Sequence, residues 1–238
     1  MQQKRSYRWF PFVMAVFVTT LIVSNIIAVK LVNIGGLVLP AAVVLFPVAY
    51  IFGDILTEVY GYARARQVIW TGFLCNLLAV IAIWIGGRLP AAPFWTAGAF
   101  DNAQSAQQAY QAILGFTPRL LVASFIAYLV GEFLNSLVLA KLKIRTRGRF
   151  LWLRTISSTI VGEGADSLVF ITIAFVGILP AGNLATAILS QWLFKVAYET
   201  LATPLTYLIV TWLKRAENED YYDRDTNFNP IPFGGTKV

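Results

Sequence analysis

The sequence predicts an all-α, polytopic membrane protein with six transmembrane helices and both termini in the cytoplasm. Three observations predict it. The 238-residue chain is 58% hydrophobic and 13% charged, with a mean hydropathy of +0.66, whereas a soluble domain carries about twice that charged fraction. Its apolar residues gather into stretches long enough to cross roughly 30 Å of hydrocarbon as helices. Its basic residues fall in alternate connections between those stretches, the pattern that fixes orientation in a bilayer.

The expected spans are Trp9–Val29, Leu39–Tyr60, Val68–Gly86, Leu120–Ala140, Ile156–Ile178 and Leu184–Leu213. Lys4, Arg5 and Arg8 before the first resemble the basic start of a signal peptide, but the apolar run is too long and no small-residue cleavage site follows, so it reads as a retained helix. Arg64 and Arg66 lie between spans two and three, Lys141 to Arg154 between four and five, and Lys214 and Arg215 after six. The alternate connections carry almost no basic residues. The Lys141–Arg154 cluster is read as a topology determinant, not as a nucleic-acid site, because no domain supports it. Trp9, Tyr60, Trp70, Trp84, Trp152 and Trp212 near span ends fit interfacial anchors. The Ile34–Val38 connection is expected to be short and extended, and Phe100–Leu114 to form a short surface helix. Two regions follow: residues 1–215 as a six-helix transmembrane domain and 216–238 as a mobile, acidic cytoplasmic tail.

Cys75 is the single cysteine and there is no histidine. That excludes a disulfide framework and cysteine-based metal clusters, and removes the usual general base near neutral pH. No Gly-x-Ser-x-Gly turn or Ser/His pair supports an intramembrane enzyme. No cofactor motif is present.

Seven ionisable residues fall inside expected spans: Asp54, Glu58, Glu132, Glu163, Asp166, Lys195 and Glu199. Facing lipid, each would cost roughly 2.5–3.5 kcal/mol, on the order of 20 together. They must face the bundle interior, and six acids cannot pair off against one lysine. Spacing gathers them onto shared faces. Asp54 and Glu58 are i, i+4; Glu163 and Asp166 are i, i+3; Glu132 and Asn135 are i, i+3, with Tyr128 extending the face; Gln191, Lys195 and Glu199 form a two-turn stripe. Asn25 sits on span one. These residues without Tyr128, ten from Asn25 to Glu199, are the candidate binding set for a small polar solute. Lys195 is expected to pair either with Glu199 or with a carboxylate on another helix.

The halves echo each other: Asn25 with Lys30 against Asn135 with Lys141, and Asp54/Glu58 against Glu163/Asp166. Three spans per half make this compatible with a 3+3 inverted repeat and a midplane site. Pro47 and Pro204, inside expected spans two and six, are candidate kinks.

Several blocks resemble one family. They are Ser24–Lys30, Gly53-Asp54-Ile55-Leu56-Thr57-Glu58-Val59-Tyr60-Gly61 with Ala63-Arg64, Gly131–Ser136, Leu151–Thr155, Gly162–Ser167, the Gln191/Lys195/Glu199 stripe and Asp225–Pro230. Together they look like the queuosine precursor transporters, also called the vitamin uptake transporter family, over nearly the whole chain. The resemblance implies six spans, the bacterial inner membrane, and uptake of a 7-deazaguanine carrying a cyano or aminomethyl group. A guanine-like edge offers adjacent N–H donors that one carboxylate can accept, and Glu132, Glu163, Asp166 and Glu199 are the candidates for it. Arg64 is expected to orient its loop and not to touch substrate.

Two alternatives remain at this level. One is a substrate-binding subunit of an energy-coupling-factor transporter, which needs a separate ATPase because the chain lacks a phosphate-cradling loop. The other is an ion channel. A homo-oligomer is left open.

Overall fold

A computed structural model describes residues 7–34, 37–115 and 118–231. The first helix, α1 (Phe10–Ile27), starts with a proline in its first turn, where the missing N–H has no helical partner to lose. Lys4 and Arg5 lie outside the described residues.

The described part of the connection after α1 is extended, as expected around Ile34–Val38, within an otherwise helical chain. Strands β1 (Leu31–Ile34) and β2 (Leu37–Pro40) pair antiparallel, with Leu31 opposite Pro40 and Ile34 opposite Leu37. Gly35 and Gly36 at their junction lie outside the described residues. A 3₁₀ turn, Ala41–Val44, leads into α2 (Phe46–Tyr60). Expected span two therefore loses its first seven residues. Proline explains the boundary: Pro47 sits in the first turn of α2, so it opens the helix instead of kinking it. At 15 residues, α2 is about 22 Å long.

Gly61 breaks the chain between α2 and α3 (Tyr62–Arg88) at φ +84°, a conformation that L side chains rarely adopt. Helix α4 (Ala103–Leu114) is capped by Asn102, which accepts the Ser105 N–H at 2.9 Å. Gln107 of α4 donates to the Gly87 carbonyl at 2.9 Å, laying this helix against the end of α3. Helices α5 (Pro118–Arg145), α6 (Leu151–Phe175) and α7 (Ala181–Glu217) complete the fold.

The segments Phe10–Ile27, Tyr62–Arg88, Ala103–Arg145 and Leu151–Phe175 each hold a stretch long and apolar enough to cross a membrane. Large apolar side chains are exposed on their outer faces, among them Leu74 and Leu78 on α3 and Leu168 on α6, and on α7 as well, at Leu201 and Leu208. The inner apolar core is built from Val13, Phe17, Ile51, Ile55, Val59, Val68, Val210 and Leu213.

Helices α5 and α6 approach most closely through two glycines. A Cβ on Gly162 would come within 2.7 Å of Asn135 Cβ and 2.8 Å of the Gly131 carbonyl oxygen; one on Gly131 would meet Asp166 Cβ at 2.8 Å. Small residues let helix backbones approach in this way. The contact brings the polar faces of α5 and α6 together.

The tail is tied down where the sequence suggests mobility. The Tyr62 N–H donates to both Asp223 oxygens at 3.0 Å, so a tail carboxylate caps α3, whose N-cap Gly61 has no side chain to do so. Arg66 donates to the Asn227 and Asn229 carbonyls at 3.2 and 2.6 Å, and Trp70 to the Pro230 carbonyl at 2.8 Å. Glu217 accepts the Tyr60 hydroxyl at 3.1 Å and the Trp9 N–H at 2.5 Å. Residues 232–238 of the expected tail lie outside the described residues.

Candidate functional site

The buried polar residues form two layers. The inner layer is built on α2, α5, α6 and α7. The Asn135 amide donates to Asp54 Oδ1 at 3.2 Å. Lys195 Nζ lies 2.7 Å from Glu163 Oε2 and bonds Asp166 as well. The lysine therefore pairs across to α6, the second of the two partners open to it, and not with Glu199. Glu132 stands close to Gly53 and within electrostatic range of Asp54, Glu163, Asp166 and Lys195. Glu199 stands near Asp54 and Glu163. Five carboxyl groups thus share the layer with one ammonium.

Among the described residues, several acceptors in this layer have no hydrogen-bond partner: Asp54 Oδ2, Asn135 Oδ1 and both oxygens of Glu199. Asp54 is 1% exposed and Glu199 fully buried. A buried polar group without a partner costs about 1–3 kcal/mol, more when charged. Such groups call for an explanation.

The second layer surrounds Glu58, one helical turn from Asp54. Glu58 Oε1 accepts Arg154 at 2.7 Å and Lys214 at 2.6 Å, with Lys143 at 3.6 Å. Lys143 also donates to the Glu58 carbonyl at 2.6 Å and, with Lys214, to Asp220 at 2.6 and 2.7 Å. Burial pushes the Asp220 carboxyl up, but the hydrogen bonds from Lys143 and Lys214 outweigh it and hold the group below its ordinary range. A cavity of about 280 Å³ opens beside this knot and is lined by Glu58, Arg154, Tyr207, Lys214 and Arg215. The structure thus gives Glu58 to three cations from α5, α6 and α7 while leaving it within electrostatic range of Asp54.

The remaining candidates scatter. Asn25 donates to Asn76 at 3.1 Å, joining α1 to α3. Tyr128 donates to the Ile69 carbonyl at 3.0 Å. Gln191 is half-buried, one turn before Lys195. Arg64 lies in the first turn of α3, not in a loop as expected, and stacks over Tyr7 at 4.5 Å and, at the start of α1, over Phe10 at 5.4 Å.

Sequence reasoning missed two features. Tyr50, one turn before Asp54 on α2, lies in the field of Glu163, Lys195, Asp166 and Glu199; its i−4 spacing from Asp54 was the available signal. Arg154 and Lys143, counted as topology charges, are each 1% exposed. The signal there was that a buried Glu58 needs a cation.

The profile of a family described as "Putative vitamin uptake transporter" matches residues 40–209, more than two thirds of the chain. The chain is also 32% identical over 187 residues to the "Probable queuosine precursor transporter" of Bacillus subtilis (strain 168), covering 77% of each. The chain belongs to the vitamin uptake transporter family. This vitamin uptake transporter is also 28% identical over 130 residues to the "Queuosine precursor transporter" of Escherichia coli (strain K12), covering 55% of this chain and 52% of that one. It is 27% identical over 133 residues to the "Probable queuosine precursor transporter" of Haemophilus influenzae (strain ATCC 51907 / DSM 11121 / KW20 / Rd), covering 55% of this chain and 49% of that one. The matched stretch thus spans about half the length of these last two. No solved structure matches the chain. The family is one of transporters, not enzymes, and the apolar helices make this member a multi-pass membrane protein.

Proposed function

We propose that the protein imports a queuosine precursor, a 7-cyano- or 7-aminomethyl-7-deazaguanine, across the bacterial inner membrane through the inner polar layer. The relatives' names support the substrate class and do not favour the alternative of a substrate-binding subunit in an ATP-driven assembly. The observation that carries the site is the pair of bare acceptors on Asp54 and Asn135. A guanine-like edge presents adjacent N–H donors, and one carboxylate oxygen with a neighbouring amide oxygen can accept both. Tyr50 supplies a flat face beside them.

In this reading six segments cross the bilayer, α2 and α7 completing the apolar four, with both termini inside and the halves related as a 3+3 inverted repeat. The Glu58 knot then closes the cytoplasmic side of the site. Of the expected 216–238 tail, residues 216–217 end α7, and residues 218–231 lie over the knot as a separate cytoplasmic region.

Titration of purified protein with 7-deazaguanine precursors, guanine and unrelated vitamins tests the substrate. Preference for the deazaguanines is expected. Equal binding of an unrelated vitamin would remove the reading.

A further inference from the structure

We propose that Glu199 is a proton-binding site whose proton crosses with the substrate, making the protein a proton symporter. The inference rests on the deazaguanine reading for its cargo alone.

Glu199 lies on α7, is fully buried, and neither carboxyl oxygen has a partner among the described residues. The ionisable groups within electrostatic range of it come from neighbouring helices and its own. From α2 these are the Asp54 carboxyl and the Tyr50 phenol; from α6, the Glu163 carboxyl. On its own helix the Lys195 ammonium, one turn earlier, is held by Glu163 and Asp166. Among the described residues no cation is committed to Glu199. An ionised carboxylate left bare in a protein interior costs several kcal/mol, and an attached proton removes that cost. The protonated group also becomes a donor, and Asp54, within electrostatic range of it, has a bare acceptor in Oδ2.

The transport step then balances without a covalent change to substrate. One proton adds to a Glu199 oxygen while the site faces the outer, more acidic side. Asp54 and Asn135 take the donor edge of the substrate. When the site faces the cytoplasm, substrate and proton leave together. Pro204 sits inside α7 five residues beyond Glu199 and lacks the N–H that would bond the Thr200 carbonyl, which gives the helix a place to bend.

The test uses full-length protein in liposomes with labelled 7-cyano-7-deazaguanine, a neutral cargo, and a lumenal pH dye. With the membrane potential clamped at zero, since each cycle carries one net positive charge, one proton per substrate predicts that an outside pH one unit lower raises accumulation about tenfold. Lumenal acidification should match tracer entry about one to one, and E199D should keep that ratio. E199Q should transport more slowly, and what enters should carry no proton. Tracer entry without acidification in the wild type, dependence on a sodium gradient instead, or an unchanged ratio in E199Q would each overturn the proposal. Complete loss of tracer exchange in E199Q would also overturn it, because Glu199 would then hold the substrate itself. If the wild type carries no tracer, the substrate reading is what fails. The proton is then read directly from the infrared carboxylic-acid band of the ligand-free protein. The wild-type-minus-E199Q difference spectrum must show a carboxylic-acid band; its absence would overturn the proposal.

Discussion

Replacing Glu58 with leucine tests whether the knot holds one end of the bundle together. The substitution removes the single carboxylate shared by Arg154, Lys143 and Lys214. Breaking a buried ion pair from one side costs about 3–5 kcal/mol, because the partner is left uncompensated. Here the three cations do not suffer equally. Lys143 and Lys214 keep Asp220 at 2.6 and 2.7 Å, and Lys143 also keeps two carbonyls. Arg154, 1% exposed, loses its carboxylate and retains the Thr146 hydroxyl and the Arg149 carbonyl. The loss should therefore sit near the lower end, about 3 kcal/mol. For a chain of this length each kcal/mol moves the melting temperature by about 2–4 °C, so E58L should melt about 6–12 °C lower. Thermal unfolding in detergent, followed by loss of the monodisperse peak, measures it. The double variant E58L/R154M removes the stranded guanidinium and should recover at least half of the loss, since well-packed apolar replacements of buried pairs are often neutral. An E58L melt within about 2 °C of wild type, or a double variant no better than E58L, would refute the reasoning.

Three further outcomes follow from the same geometry. Asp54→Asn should weaken deazaguanine binding by more than tenfold in calorimetric titration while the protein still inserts, because the substrate's donor edge would meet a neutral amide in place of a carboxylate. Gly162→Val should lower stability by about 1–3 kcal/mol in the same melting assay, since even its Cβ would overlap Asn135 and Gly131; Gly182→Ala, with open space around it, should not. Asp223→Ala leaves the Tyr62 N–H at the start of α3 without its acceptor, costing about 1–3 kcal/mol, and should speed protease cleavage of the tail on gel analysis.

Much of the inner layer was legible because the cost of burying charge is so large. Seven ionisable residues inside apolar runs could only turn inward, and the i, i+3 and i, i+4 spacings placed Asn135, Glu163, Asp166 and Lys195 on faces that meet. The closeness of α5 and α6 was not legible, because Gly131 and Gly162 act through backbone approach, which periodicity does not register. Glu58 shares a face with Asp54, yet four residues displace it by about 6 Å along the axis, enough to put it in a different layer. Lys143 and Arg154 were counted for orientation. Charge counting ignores direction, and these two side chains turn inward to Glu58. The start of α2 was misread because hydropathy treats Leu39 to Val44 as continuous with the span, whereas Pro40 and Pro47 remove backbone donors there. The tail's acidity suggested solvation; Asp223 instead meets an uncapped helix start and Asp220 meets two lysines.

The two layers differ in the way their charges are met, and the difference separates their roles. The Glu58 carboxylate collects three cations, each from a different helix, and the tail adds Asp220. Such a junction holds α5, α6 and α7 in one arrangement, and moving any one helix would break at least one ion pair. The inner layer has the opposite balance, five carboxyl groups against one ammonium, with bare acceptors on Asp54, Asn135 and Glu199. Left ionised and unpartnered, that arrangement would cost several kcal/mol for each bare carboxylate. A ligand rich in N–H donors and a bound proton would each relieve part of that cost. Occupancy of the inner layer therefore changes the free energy that the knot has to resist, and because Asp54 and Glu58 stand one turn apart on α2, a shift of that helix would act on both layers together.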